Sequence, residues 1–474
     1  MLTNVDRVII RPVFVLARLL TMLQLLSHSS RQPLTRREAL RAGFLGMGGL
    51  GAGQLALADL LRLQAEGGAA KKDAAVILLF VHGGPSHLET YDMKPQAAAE
   101  IRGPFLPIPT KVAGMEICEH LPKQASLADK FTLIRSVCHD EADHFAGHRR
   151  FLSGYGKLKP GFGYESAYPQ VGAVVTRMLG GKRAGLPPAL AVGGVVVNGP
   201  DYAAGVSEGF WSGMYRVPII NGGLRDASLS LEAARMADRR RLAQDFDRLR
   251  RDVDTSGVMD VTDAFNRQAV EILTTGKAQK AFDLSQEDPR LVEKYGDGYG
   301  REVLTARRLV EAGISFVTVR APGSGPNTAA YDWDDHAVNW DLRTAMIARL
   351  PKFDQVVSTL IEDLFARGLD KRVLLIVTGE FGRTPRLEFR DGRIGRDHWP
   401  GAMSILISGG NMPMGQVIGA TDHIGATPSQ RKLDPHDLLA TIYRHLGIDH
   451  RALVEDQFGR PISLTMGQPI KELF

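Results

Sequence analysis

Histidines and carboxylates gather at a few places in this chain, each beside an apolar run. His82, Ser86 and His87 follow the apolar stretch 75–81. His139, Asp140, Asp143, His144 and His148 follow 131–134. Asp332, Asp334, Asp335 and His336 come after 315–319 and a Gly/Pro-containing loop. Glu380 follows 372–377, and Asp397-His398 precede 403–407. Imidazoles and carboxylates, with only two cysteines in the whole chain, suit a hard or borderline divalent cation such as Zn²⁺, Mn²⁺, Mg²⁺ or Ca²⁺. Arg383, in Gly379-Glu380-Phe381-Gly382-Arg383-Thr384-Pro385, has a planar fork that suits either an oxyanion or a structural salt bridge.

These residues need elements to bring them together. The runs at 75–81, 131–134, 189–197, 315–319, 372–377 and 403–407 read as strands. Residues 144–154 read as a turn leading into a helix, and 169–180, 303–311, 342–364 and 436–446 as helices, the one at 342–364 interrupted or kinked at Pro351. Strands alternating with helices predict an α/β fold with a largely parallel sheet covered on both faces, α/β/α in three layers. Ligands of such sheets sit at the carboxyl ends of the strands. Residues from about 224 to 285 are dense in charge, with leucine and alanine at helical spacing, and read as a helical insertion.

Other chemistries lack their motifs. His82-Gly83-Gly84 is like an esterase oxyanion loop, but the one Gly-x-Ser-x-Gly string after it, Gly205-Val206-Ser207-Glu208-Gly209, does not sit between a strand run and a helix as a nucleophile elbow does. Outside the glycine-rich leader segment 42–51 there is no GxGxxG, and the chain has no Walker or CxxC motif. Cys118 and Cys138 form either one disulfide or two buried thiols. The formal net charge of +5 lies entirely in residues 1–73, which hold ten Lys/Arg and five Asp/Glu; from Ala74 onward the charges balance. That leaves no electrostatic footprint for nucleic acid.

The first 73 residues read as a leader. Arg36-Arg37 precede the glycine-rich, weakly apolar segment 42–51, and Ala56-Leu57-Ala58 fits a small-x-small cleavage site. This is the pattern of a twin-arginine signal, so the export machinery is an expected partner and the destination is periplasmic or extracellular. Arg11 and Arg18 interrupt the apolar stretch 8–27, so no permanent membrane span is expected beyond the leader. Met22 is an alternative start that would leave 1–21 untranslated.

The chain resembles the uncharacterised, mostly exported family DUF1501, grouped with the alkaline phosphatase and sulfatase superfamily. The matching stretches are Gly83-Gly84-Pro85-Ser86-His87 through Tyr91-Asp92-Met93-Lys94-Pro95, His144-Phe145-Ala146-Gly147-His148, Trp333-Asp334-Asp335-His336, Gly379 to Pro385 and Gly395-Arg396-Asp397-His398-Trp399-Pro400. The resemblance implies an alkaline phosphatase/sulfatase-like fold over 74–474. It puts His144 at the nucleophile position, His148 at that of an arginine, and His82 near a first-strand metal aspartate. Asp334 and His336 resemble a central Asp-and-His pair. Glu380 and His398 resemble later metal or substrate ligands.

Two functions follow as expectations. One is a metal-dependent hydrolase of phosphate or sulfate esters, acting on a small-molecule or glycan substrate. Asp334, His336, Glu380, His398 and His82 would hold metal, with His144, His148 and Arg383 as catalytic groups. The other is a non-catalytic, metal-containing binding or scaffold protein of the same fold, since no Ser, Thr or Cys stands at the nucleophile position.

Overall fold

Residues 75–80 are six apolar side chains in a row, and a strand that is apolar on both faces must be covered on both. In the computed structural model they form β1 (Ala75–Phe80), buried throughout. The structure describes residues 73–156, 168–180, 186–193, 205–220, 280–322, 332–456 and 458–474. The expected leader before Asp73, and residues 224–279 of the expected insertion, lie outside the described residues. Those described belong to one compact unit, Ala70–Phe474.

The other strands of the main sheet are β2 (Thr132–Val137), β3 (Ala189–Val192), β4 (Ile219–Ile220), β5 (Phe316–Arg320), β6 (Val373–Thr378), β7 (Met403–Gly409) and β8 (Gln416–Ile418). Their order is β8-β2-β7-β6-β1-β5-β3-β4. Five of them, β6-β1-β5-β3-β4, form a continuous parallel run, and β8 is parallel to β2. Only β7 is reversed, antiparallel to both β6 and β2.

The principal helices are α1 (His144–Ser153), α2 (Val171–Leu179), α3 (Tyr299–Ala312), α4 (Leu342–Ala366) and α5 (Pro435–Leu446). Strand side chains alternate between the two sheet faces. Ile77, Leu79, Val317, Val319, Leu375 and Val377 pack with Val303 and Val310 of α3 and Met346 and Leu360 of α4. Val76, Leu78, Phe80, Leu374 and Ile376 pack with Phe151 of α1, Val174 of α2 and Leu439 of α5. Each such fully buried side chain contributes about 1.5–3 kcal/mol. The result is the expected three-layer α/β/α fold.

Of the interruption or kink expected at Pro351, the interruption does not occur: the helix is one continuous 25-residue element. Pro351 cannot donate to the carbonyl of Ile347, but Ile347 is 45% exposed, so water can satisfy that oxygen. The largely parallel sheet expected is found, with β7 as its one reversed strand among the described residues. In a parallel strand, residues 397–398 would arrive at the amino edge of the sheet, away from the other clusters. Because β7 runs the other way, the segment before it opens on the edge where β1, β2, β5 and β6 end.

At that edge α1 starts on the Asp143 side chain, which accepts the backbone N–H groups of Phe145 and Ala146, and it closes at Gly154 in the left-handed region. His144 is therefore its first residue. His148 follows one turn later on the same helix face.

Candidate metal centre

The parallel pairing sets the first part of the site. Phe80 of β1 is in register with Thr378 of β6. Two residues beyond each, on the same face of the sheet, stand His82 and Glu380. The Phe80 ring meets His148 of α1 edge-on at 4.7 Å, so α1 delivers its second histidine to the same place. His82 Nδ1 is 3.1 Å from His148 Nε2 and 3.7 Å from Glu380 Oε1. All three residues are buried, and each offers one ligand atom within 4.8 Å of the others.

Glu380 is held from several sides. The Gly83 N–H lies 3.0 and 3.2 Å from its two oxygens, and the His139 Nε2–H donates to its carbonyl at 2.6 Å. The carboxyl stays well below the usual range: burial opposes ionisation, but His82 and the hydrogen bond and charge of His144 outweigh it. Burial lowers His148 to about 3 and His139 to about 4, the latter against its bond to the Glu380 carbonyl. Two glycines allow this crowding. A Cβ on Gly83, at φ 107°, would lie 2.6 Å from the Asp334 nitrogen. One on Gly379 would lie 2.4 Å from Pro85 Cδ and 2.6 Å from the Val81 carbonyl.

The second part centres on Asp334. Its Oδ1 is 3.3 Å from His144 Nε2, 2.9 Å from His336 Nε2 and 3.0 Å from His398 Nε2. His144, Asp334 and His398 form a second group whose ligand atoms lie within 4.8 Å of one another, and His336 Nε2 is 2.9 Å from His398 Nε2. A two-residue ladder pairs His398 with Arg383. Asp334 is kept ionised, well below its ordinary range; burial opposes this, and its close contacts with the imidazoles of His144, His336 and His398 prevail.

The outer nitrogens of this group bear on metal binding. His398 Nδ1 is 2.7 Å from the Ala142 carbonyl, which only accepts, so Nδ1 carries the proton. His336 Nδ1 is 2.7 Å from an Asp397 carboxylate oxygen and is likewise the donor. Neutral imidazoles with protonated Nδ1 present lone pairs at Nε2. Two such lone pairs and a carboxylate oxygen then crowd one point, which only a proton or a cation can reconcile. Outer hydrogen bonds to carboxylates and carbonyls are also how metal-bound histidines are usually oriented. The donor set thus fits a divalent cation.

His144 joins the two groups. Its Nδ1 is 2.6 Å from Glu380 Oε1 while its Nε2 faces Asp334. Burial disfavours its charge, but hydrogen bonds to Asp334 and Glu380 raise it to about 9. His336 is also raised, its partners overcoming burial. His398 is lowered by burial, reinforced by Arg383.

Of the two parts expected of Arg383, an oxyanion contact or a structural salt bridge, its contacts are those of the second. It is fully buried, with its Nε on the Gly84 carbonyl at 2.9 Å, Nη1 on the Arg396 carbonyl at 3.0 Å, and Nη2 on the carbonyls of Gly83 and Trp333 and on Asp334 Oδ1 at 2.6 Å. Its fork is spent on tying three loops and Asp334 together. His148, expected as a catalytic group, lies inside the first donor group. Asp397 as the orienter of His336 was not foreseen; its only signal in the sequence is adjacency to His398. Arg396, paired in the interior with Glu89 at 2.6 Å, was not foreseen as an anchor of that segment either. Cys118 and Cys138 are both free and buried.

A family model described as "Protein of unknown function (DUF1501)" matches residues 73–474. The chain belongs to the DUF1501 family. No curated protein matches it in sequence. Among solved structures, this DUF1501 chain is similar to PsFucS1 sulfatase from Pseudoalteromonas sp., with 12% identity, a TM-score of 0.36 and coverage of 92% of this chain and 78% of that one. It is similar to the alkaline phosphatase from the Antarctic bacterium TAB5, with 13% identity, a TM-score of 0.37 and coverage of 78% and 98%. It is similar to the phosphonate monoester hydrolase SpPMH from Silicibacter pomeroyi, with 11% identity, a TM-score of 0.36 and coverage of 84% and 76%. At these values the likeness concerns the arrangement of sheet and helices alone. No helix among the described residues is long and apolar enough to cross a membrane.

Proposed function

We propose that this DUF1501 protein is an exported, metal-dependent hydrolase of phosphate or sulfate esters, with a small-molecule or glycan ester as substrate. The carrying observation is the convergence of His144, His336 and His398 on Asp334, beside the buried trio His82, His148 and Glu380. Adjacent donor groups at the carboxyl edge of an α/β sheet suit a charged ester. Asp334, His336 and His398 would hold one divalent ion, and His82, His148 and Glu380 another, with His144 between them. The imidazole-rich donor set favours Zn²⁺ over Mn²⁺, Mg²⁺ or Ca²⁺. Such ions, when bound, polarise the ester oxygen and offset charge developing in the transition state.

The residues of the chain supply the rest. Asp397 and the Ala142 carbonyl fix two imidazoles with Nε2 facing inward. Arg383 and Gly83 hold Asp334 and Glu380. His144 is held by a carboxylate at each ring nitrogen. That placement, with a proton on each ring nitrogen, suits proton donation from Nε2 on the open side. Export by the twin-arginine machinery, directed by the leader, belongs to the same proposal.

One observation favours the non-catalytic reading. Ser86, a buried hydroxyl in the loop after β1, donates to Glu89, so it is committed to the interior rather than to a substrate. Assay of the purified full chain, with its metal measured, against a panel of phosphate and sulfate monoesters separates the readings. Metal-dependent turnover supports the hydrolase. Bound metal and bound ester without product supports the scaffold.

A further inference from the structure

The two donor groups differ in exposure. In the first, Glu380 is 0% and His82 11% exposed at the side chain, and His148 is buried as a residue. In the second, the side chains of His144, His336 and Asp334 are 19–26% exposed. His144 stands between them in a particular way. It lies one helical turn before His148 on α1, on the same face and nearer the sheet edge. Its ring centroid is 5.4 Å from that of His82 and 5.2 Å from that of Phe381, and its Nδ1 is bound to the Glu380 oxygen that faces His82. The outward side of the buried trio is therefore covered by the His144 imidazole, backed by Phe381.

We infer that the two groups are a closed and an open cation site: His82, His148 and Glu380 retain their ion behind His144, while Asp334, His336 and His398 exchange theirs with solvent. Sites that keep a resident ion are enclosed by protein, whereas sites that meet substrate keep an open position. The inference rests on the two-ion reading of the proposed function. It adds that the ions differ in lability and that His144 is the gate between them. An ion leaving the buried trio must displace an imidazole that is hydrogen-bonded to Glu380 on one side and Asp334 on the other. An ion leaving Asp334 need cross no side chain of the first group.

The test uses the full chain loaded with Zn²⁺. A chromogenic chelator in excess reads the rate of ion loss, and elemental analysis reads the ions retained. The expected result is two phases of similar amplitude, the slow one slower by about 10-fold or more, on the scale by which groups supporting a metal ligand change its retention. Asp334→Ala should abolish the fast phase and leave the slow ion in place. His144→Ala should bring the slow phase up to the fast one. Loss of both ions in one phase overturns the inference, as does loss of the slow ion in Asp334→Ala; neither outcome depends on whether His144→Ala folds. If two phases appear with no ester hydrolysis, the enzymatic reading fails and the closed-and-open assignment stands. If no Zn²⁺ binds, both fail.

Discussion

The backbone N–H of Gly83 reaches both oxygens of Glu380, at 3.0 and 3.2 Å, across a sequence separation of 297 residues. The loop after β1 thereby orients the carboxylate that ends β6. Gly83 manages this at φ 107°, where an added Cβ would run into the backbone of Trp333 and Asp334. Gly83→Ala should therefore cost stability through the strained backbone, about 1–3 kcal/mol, and push the Asp334 segment out of place. Urea unfolding reads the first effect and metal content the second. An alanine variant with unchanged midpoint and unchanged metal would show that this contact does not position the site.

Asp397 should behave differently. It is exposed, and its role is to accept the Nδ1–H of His336. Asp397→Ala should leave the unfolding midpoint nearly unchanged but weaken metal binding about 10–100-fold, as loss of an orienting carboxylate typically does. Competition with a chelator of known affinity measures this.

Arg383→Lys tests whether the guanidinium serves the protein or the substrate. Its donors are spent on carbonyls and on Asp334, which a single ammonium cannot replace. The expected outcome is destabilisation of about 3 kcal/mol or more, together with loss of metal. A variant of normal stability and metal content, but with a raised KM for ester, would instead make Arg383 a substrate-binding residue.

The metal-free protein should have a pH optimum of stability set by opposed histidines. His144 is raised to about 9 by its two carboxylate partners, against the pull of burial. Its contribution is complete below the unfolded value of about 6.5 and is lost as pH rises through 9. His139 and His148 are lowered by burial to about 4 and about 3. Their contribution is present above about 6.5 and is lost as pH falls through those values. Thermal melts of the chelator-treated chain should peak between these limits and fall on both sides. A melting temperature that climbs steadily from pH 5 to about 9.5 would contradict the charge states assigned to the site.

Much of this arrangement was legible in the sequence because parallel strands advertise themselves. The apolar runs ending at Val81 and Val377 located β1 and β6, so His82 and Glu380 were recognisable as strand-end residues. Residues 144–154 read as a turn leading into a helix; that α1 begins at His144, which puts His144 and His148 on one face, came from the Asp143 cap. The direction of β7 was not legible, because an apolar run reads the same both ways. His398 was thus grouped with the others without the reason it joins them. Nor does composition tell whether an arginine fork faces the protein or an anion: Arg383 was open to both readings because the folded-back carbonyls of Gly83 and Trp333 leave no trace in sequence. The division into a buried and an open group depends on how far each side chain lies from the rim, which only the packing of Phe80, His148 and Phe381 decides.

The most direct test of the central claim is the metal itself. The full chain, equilibrated with Zn²⁺ and freed of excess ion, should retain about two ions per molecule. X-ray absorption at the zinc edge should show nitrogen and oxygen neighbours at about 2.0–2.1 Å, with imidazole contributions and no sulfur. Retention of less than about a tenth of an ion, or a sulfur shell near 2.3 Å, would contradict the assignment of His82, His144, His148, Asp334, His336, Glu380 and His398 to a metal centre.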